Sequence, residues 1–257
     1  MDLENNLTVS PRVRRLLLFL LGALLGVNVY AQPANNNFAS AQFLALNSTV
    51  TGSNVSATKE VGEPNHAGNL GGASVWYTFF ATTNIRVQVT LYATNFSGNA
   101  LLAAYTGTTL GALTPVASTN TNGCLSIQFD ISTGMQYRIA VDGENIGAGA
   151  GEAAFQLSFS GAAQNDNFAN PHWLFGSSPA TNSVSSIAAT KEPNEPVHDG
   201  VGGGATVWFS WTAQQSTTTT VSVASQDGFD TTNMVLAVYT GDALTSLTPV
   251  VSSNELG

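Results

Sequence analysis

The chain has 257 residues, with 7 Lys and Arg against 16 Asp and Glu, a net charge of −9, and only 9% of its residues are charged. So few basic groups cannot neutralise a row of phosphates, which excludes nucleic-acid binding as a main activity. Cys124 is the single cysteine, so no disulfide framework exists and stability must come from burial.

The chain opens on a secretory signal pattern over residues 1–31. Arg12, Arg14 and Arg15 form a basic stretch, residues 16–29 are apolar, and Val29-Tyr30-Ala31 precedes an expected cut between Ala31 and Gln32. The alternative, an uncleaved anchor, is disfavoured because this 14-residue apolar run is shorter than the about 20 residues a bilayer span needs. No cysteine sits at the cut, which argues against a lipid-anchored product. Cleavage removes three of the seven basic and two of the sixteen acidic residues, leaving four and fourteen, a net charge of −10. The expected product is secreted or held at the cell surface, with no membrane span.

The remainder repeats itself. Ala57-Thr58-Lys59-Glu60 returns as Ala189-Thr190-Lys191-Glu192, Glu63-Pro64-Asn65-His66 as Glu195-Pro196-Val197-His198, and Gly71-Gly72-Ala73-Ser74-Val75-Trp76 as Gly203-Gly204-Ala205-Thr206-Val207-Trp208, all at an offset of 132 residues. Leu102-Ala103-Ala104-Tyr105-Thr106-Gly107 matches Leu236-Ala237-Val238-Tyr239-Thr240-Gly241 at an offset of 134. Solenoid repeats run at roughly 20–50 residues, so this longer period indicates a tandem of whole domains. The expected division is residues 35–162 and 165–257, with the small residues Gly161-Ala162-Ala163-Gln164 as linker. Gly257 stands opposite Gly123, so the second copy reads as incomplete and the chain as the front of a longer protein.

Within each copy, apolar residues recur with period two, the mark of strands with one buried face. Val75, Tyr77, Phe79 and Ala81 share a face, repeated as Val207, Phe209, Trp211 and Ala213. Val87, Val89 and Leu91 follow, then Leu102 and Ala104, and then residues 113–117. Ile127 and Phe129, Ile139 and Val141, and Leu157 and Phe159 complete the series. Turn clusters such as Thr121-Asn122-Gly123 and Asp142-Gly143-Glu144-Asn145 punctuate them. About eight short strands in about 125 residues predict an all-β fold, an antiparallel β-sandwich in each copy. Cys124, beside an apolar strand, is expected to be a small buried hydrophobe.

Residues 59–72 differ from the strands around them. A loop this long inside a compact domain usually has a function. It carries Glu60, Glu63 and His66, and its partner carries Glu192, Glu195, His198 and Asp199. Calcium takes oxygen ligands from carboxylates and carbonyls, so Glu60, Glu63, Glu192, Glu195 and Asp199 are candidate ligands, with Asp142 or Glu144 contributing from outside the loop. The histidines favour zinc instead, but zinc motifs with this spacing need a helix, which the prolines and glycines forbid. The plain alternative pairs Lys59 with a Glu and bonds the His ring to a loop carbonyl. Trp76 and Trp208 fall on the face opposite the expected core. They either stack on an external ligand or lie under the Gly-rich loop as a lid, and Phe80 and Tyr92 pose the same choice.

The opening segments Asn35-Asn36-Asn37-Phe38-Ala39 and Asn165-Asp166-Asn167-Phe168-Ala169, the aromatic strand Val75-Trp76-Tyr77-Thr78-Phe79 and the late strand Tyr137-Arg138-Ile139-Ala140-Val141 together resemble the bacterial pre-peptidase C-terminal domain. The resemblance covers the first copy and the front of the second. It implies a non-catalytic β-sandwich appended to secreted enzymes or surface proteins, some of which bind extracellular matrix polymers and some of which hold calcium near the start of the domain. The Glu-Pro-x-x-His loop departs from the short Asp-containing turn of typical members. It looks more like variant repeats of large exported bacterial proteins.

No Gly-x-Ser-x-Gly elbow, His-Glu-x-x-His helix, Walker loop or dinucleotide fingerprint occurs. The expectation is therefore a non-catalytic exported protein for adhesion, spacing or substrate attachment, with an extracellular polymer or protein as partner. The rival readings are accessory modules of a secreted peptidase or other hydrolase whose catalytic domain lies beyond residue 257, and a carbohydrate-binding module.

Overall fold

The computed structural model describes residues 31–93, 95–147, 149–175, 183–224 and 234–254. The expected signal segment lies outside these residues apart from Ala31. The described chain is built from strands, and its helix is limited to the 3-10 turns Phe38–Ser40, Leu110–Ala112 and Leu244–Ser246. No helix among the described residues is long and apolar enough to cross a membrane.

The first copy forms two sheets. The strands are β1 (Gln42–Phe43), β2 (Ser48–Ser53), β3 (Val75–Phe80), β4 (Ile85–Tyr92), β5 (Ala100–Thr106), β6 (Thr114–Thr121), β7 (Leu125–Ile131), β8 (Gln136–Gly143) and β9 (Ala154–Gly161). One sheet has the order β1-β3-β8-β5-β6 and the other β2-β9-β4-β7. All pairings are antiparallel except β1 with β3, which is parallel. The sequence did not announce β1 or β2. The first is two residues long, and the second reads Ser-Thr-Val-Thr-Gly-Ser with one large apolar side chain, so neither shows a period.

Between the sheets lie Val75, Tyr77 and Phe79 of β3, Ile127 and Phe129 of β7, Ile139 and Val141 of β8, and Leu157 and Phe159 of β9, all buried. Phe79 sits at the centre, 4.4 Å from the Phe159 ring and stacked on Tyr137 at 5.1 Å. Burying each such side chain stabilises by about 1.5–3 kcal/mol. Strand β7 alternates strictly, with Ser126, Gln128 and Asp130 in solvent. That alternation fails in β5 and β8, which are buried on both faces for most of their length. Something covers the outside of the five-stranded sheet.

Cys124 corrects an expectation. It is exposed, because it belongs to the bend that follows Thr121 and not to the strand that begins at Leu125.

The second copy forms β10 (His172–Leu174), β11 (Phe209–Trp211), β12 (Leu236–Thr240) and β13 (Thr248–Ser253). They pair as two separate two-stranded sheets, β10 with β11 and β12 with β13. In pairing they reproduce β1 with β3 and β5 with β6, including the register shift after Val238 that matches the one after Ala104.

Candidate functional site

The cover on the outer face is the loop between β2 and β3, and its repeated polar residues hold it there. At its base, buried Asn54 donates to Ala73 O at 3.0 Å and Gly151 O at 2.9 Å and accepts from Ala153 N–H at 2.8 Å. The Asn-rich opening segment binds its flank. Asn35 Nδ2 donates to Trp76 O at 3.0 Å, and Asn36 Oδ1 accepts from Thr58 N–H at 2.7 Å.

Each candidate carboxylate has protein donors. Glu60 Oε2 accepts from Phe38 N–H at 2.6 Å, so it ties the loop to the opening segment. Glu63 Oε2 accepts from Glu60 N–H at 2.9 Å, and Glu63 Oε1 lies 2.7 Å from His66 Nε2. Asp142 Oδ1 accepts from Ala73 N–H and Gly143 N–H, both at 2.7 Å, and from Gly72 N–H at 3.1 Å. Gly71 has φ +59°, and a Cβ there would stand 1.7 Å from Asp142 Oδ2, so only glycine admits this approach. Glu144 binds Asn69 Nδ2 at 2.9 Å and Asn99 N–H at 3.3 Å.

His66 is fully buried between Glu63 and Tyr105, whose hydroxyl lies 2.8 Å from Nδ1. These partners assign the tautomer: Nε2–H donates to the carboxylate, and the Tyr105 hydroxyl donates to Nδ1. Burial alone would raise the Glu63 carboxyl, but hydrogen bonds from the His66 ring and the Glu60 amide outweigh it and hold it below the usual carboxylate value. Burial pushes Tyr105 up to about 12, helped by the Glu63 and Asp142 charges, so its proton stays on. Asp142 is shifted the opposite way from Glu63. Its burial outweighs the amides of Ala73 and Gly72 and the neighbouring His66 and raises it.

Beneath this chain of bonds lies Trp76, fully buried, with Phe38 edge-on at 5.2 Å, His66 at 5.4 Å and Tyr105 at 6.1 Å. Phe38, Trp76, Ala103, Tyr105 and Ala140 form a second small core on the outer face, and the Arg138 guanidinium stacks 4.4 Å above Phe38. Of the two readings of Trp76, the lid is the one built. Phe80 and Tyr92 are exposed. The pairings expected for Lys59 and His66 are corrected. Lys59 Nζ donates to Leu70 O and to Asn65 Oδ1 at 3.4 Å, and His66 binds two side chains and no carbonyl. The loop folds back on itself, so its own carbonyl and amide lie nearer the lysine than any carboxylate does.

The second copy rebuilds the arrangement. Glu192 accepts from Phe168 N–H at 2.6 Å, Glu195 Oε2 from Glu192 N–H at 2.9 Å, and Asp166 Oδ1 from Thr190 N–H at 2.5 Å. His198 lies between Glu195 at 3.0 Å and Tyr239 at 2.8 Å, over Trp208. Asp199 stands apart. It matches Ala67, occupies the left-handed position of the turn at φ +49°, and accepts from Ser252 at 2.7 Å.

Ligand atoms of Glu63, His66 and Asp142 lie within 4.8 Å of one another, close enough to consider a metal. Yet amide N–H groups converge on Glu63 and Asp142 and supply the positive potential a cation would bring. A carboxylate–His–Tyr relay is also the geometry of a general base, but a base must reach a substrate proton. Here Glu63, His66 and Tyr105 are all buried. Tyr105 is the member the sequence reading missed. Its signal was the tyrosine kept at the same place in both copies of the Leu-Ala-x-Tyr-Thr-Gly motif, on the face that period two assigns to solvent.

No family model matches the chain, and no curated protein matches it. Among solved structures it is similar to the pre-peptidase C-terminal domain of collagenase from Bacillus anthracis, at 14% identity, TM-score 0.32, over 46% of this chain and 93% of that one. It is also similar to the Yersinia pseudotuberculosis-derived mitogen, at 11% identity and TM-score 0.28 over 43% and 83%. A third likeness is to the carbohydrate-binding module CBM36 in complex with calcium and xylotriose, at 19% identity and TM-score 0.23 over 50% and 97%. Likenesses this distant stay at the level of the fold and assign no activity.

Proposed function

We propose that the chain is an exported, non-catalytic protein of tandem β-sandwich modules, residues 35–162 and 165–257, that attaches to an extracellular polymer or protein surface. The observation that carries this reading is how the repeated side chains are divided. The repeated ionisable groups are spent on holding a loop over a tryptophan, whereas a repeated aromatic faces solvent. Phe43 on β1 is 63% exposed and pairs with Thr78, and Trp173 on β10 is 52% exposed and pairs with Ser210, the counterpart of Thr78. Phe80, 59% exposed, lies two residues beyond Thr78 and so on the same outer face. Aromatic rings along a sheet edge suit stacking against sugar rings or apolar protein surface.

Co-sedimentation with insoluble polysaccharides and matrix proteins tests the reading, together with an assay for soluble products. The expected result is retention on a polymer without its breakdown, lost in the Phe43→Ala/Trp173→Ala double variant while the melting temperature is kept. Polymer breakdown, or retention unchanged in the double variant, overturns it.

A further inference from the structure

Four Lys and Arg side chains stand among the described residues, and three of them are occupied. Lys59 Nζ donates to Leu70 O and to Asn65 Oδ1, Lys191 Nζ donates to Gly202 O at 3.1 Å, and Arg86 pairs with Asp130 at 3.5 Å. Arg138 is the exception. Its guanidinium lies 4.4 Å above the Phe38 ring, and among the described residues none of its N–H groups has an acceptor. Nε is shut from water, whereas the two Nη groups remain open to it. Stacking on Phe38 fixes the plane of this fork and uses none of its donors.

No carboxylate of the described chain neutralises it. Glu60 reaches Phe38, but gives its Oε2 to Phe38 N–H and forms no ion pair with Arg138. Asp142 lies on the same strand face four residues on, buried on the amides of Gly72, Ala73 and Gly143. Burial holds the Arg138 guanidinium below its ordinary value, and no carboxylate charge offsets that.

The register places two rings and an amide beside the fork. Arg138 pairs with Thr78, which pairs on its other side with Phe43, and Gln136 pairs with Phe80. These residues share the outer face, and Phe43 and Phe80 are exposed there. The Thr78 hydroxyl is used up, donating to Tyr137 O and accepting from Gln136 Nε2, which leaves Gln136 Oε1 as a free acceptor.

We infer that this patch is a subsite for a uronate unit of a carboxylate-bearing polysaccharide. The carboxylate sits on the Arg138 Nη fork, a sugar hydroxyl donates to Gln136 Oε1, and the chain lies over Phe43 and Phe80. The inference rests on the attachment reading above and names the chemistry of the polymer. A sugar acid matches all three features: the fork takes a carboxylate, the amide takes a hydroxyl, and the phenyl rings take C–H ring faces. An acidic peptide supplies the carboxylate but brings no flat ring for each phenyl. With a net charge of −9 the rest of the chain repels a polyanion, so binding is confined to this place.

Affinity electrophoresis of the full chain through gels carrying polygalacturonate or alginate tests the inference. Fully methyl-esterified polygalacturonate keeps the rings and removes the charge, and polyglutamate keeps the charge and removes the rings. The expected result is retardation by a uronate polymer, with apparent affinity weaker by about tenfold or more for the ester, for polyglutamate and in Arg138→Gln. The ester comparison uses the unaltered chain, so it stands whatever Arg138→Gln does to folding. Equal retardation by acid and ester overturns the inference, as does retardation unchanged in a folded Arg138→Gln variant. Tighter binding to polyglutamate also overturns it, since an acidic peptide is then the occupant. Retention on neutral polymers alone, lost in the Phe43→Ala/Trp173→Ala variant, overturns the uronate subsite and leaves the attachment reading standing. Retention on no polymer overturns both.

Discussion

The two copies carry the same lock on unequal foundations. In the first, Glu63, His66 and Tyr105 rest on a five-stranded sheet backed by a full core; in the second, Glu195, His198 and Tyr239 keep nearly the same distances on two strand pairs whose inner faces are open. The lock is therefore a local device, built by the opening segment, the loop, the aromatic strand and one tyrosine. The sandwich core is added behind it. What the core changes is burial: His66 is sealed, whereas the His198 side chain remains 12% exposed.

Separating the copies gives the largest expected contrast. Residues 32–163 alone should unfold in one cooperative transition, while residues 165–257 alone should not, because their apolar inner faces and strand edges stay uncovered. Calorimetry of the two fragments checks this, and a sharp two-state melt of the second would break the comparison. Next in size is removal of the central ring. Trp76→Ala should cost about 3–5 kcal/mol, as a large aromatic deleted from a sealed site leaves a cavity. Trp208→Ala should cost less, since Trp208 is 9% exposed where Trp76 is fully buried. Denaturant midpoints of the full chain, followed at each copy, separate the two.

Removing a single bond of the lock should show the same asymmetry on a smaller scale. Tyr105→Phe leaves His66 Nδ1 buried without a donor, a cost of about 1–3 kcal/mol. Tyr239→Phe should cost markedly less, because water can reach the half-buried ring and replace the hydroxyl. The tyrosines also set an alkaline limit. Burial, with the nearby Glu63 and Asp142 charges, pushes Tyr105 up to about 12, and burial pushes Tyr77 to about 12 as well, so between pH 10 and 12 the folded state keeps protons that the unfolded chain releases. Stability is full below pH 10 and falls as pH rises through that window. Tyr239 is raised too, by burial and then Glu195, but its ring is more open to water. Ultraviolet titration should therefore register Tyr239 before Tyr105, and Tyr105→Phe should weaken the alkaline loss in the first copy. Glu63 acts at the other end. Its lowered value contributes stability that is present above the ordinary carboxyl value of 4.5 and lost as pH falls through the folded one.

The all-β fold and most of the core were legible in sequence because period two marks any strand with one wet face. Strands β5 and β8 defeat that rule by burial on both sides, and β2 defeats it by being polar. At the site, the repeated Glu and His were visible as residues, but not their partners. Tyr105 lies far from the loop in sequence and reaches it only through strand register, Asn54 sits at the loop's own base in a stretch with no period, and Asp142, named beforehand as a carboxylate from outside the loop, binds the amides of Gly72 and Ala73 there. The tryptophans could be placed on the outer face, whereas their cover depended on a loop with no periodicity to read.

The smallest expected effect concerns calcium. Its candidate ligands are Glu60, Glu63 and Asp142, and Glu192, Glu195 and Asp199. In the structure Glu60 and Glu192 hold the amides of Phe38 and Phe168, Glu63 and Glu195 hold a histidine and an amide, Asp142 holds three amides, and Asp199 accepts from Ser252. A cation would have to displace these donors, and few free lone pairs remain for the six to eight oxygens calcium takes. If a site existed, stability would rise by about 2.7 kcal/mol at a hundredfold excess over the dissociation constant, several degrees in melting temperature. The expected result is the same melt of residues 32–163 in millimolar Ca²⁺ and in chelator. A rise that chelator reverses and Glu63→Gln abolishes would show that the lock is also a metal site.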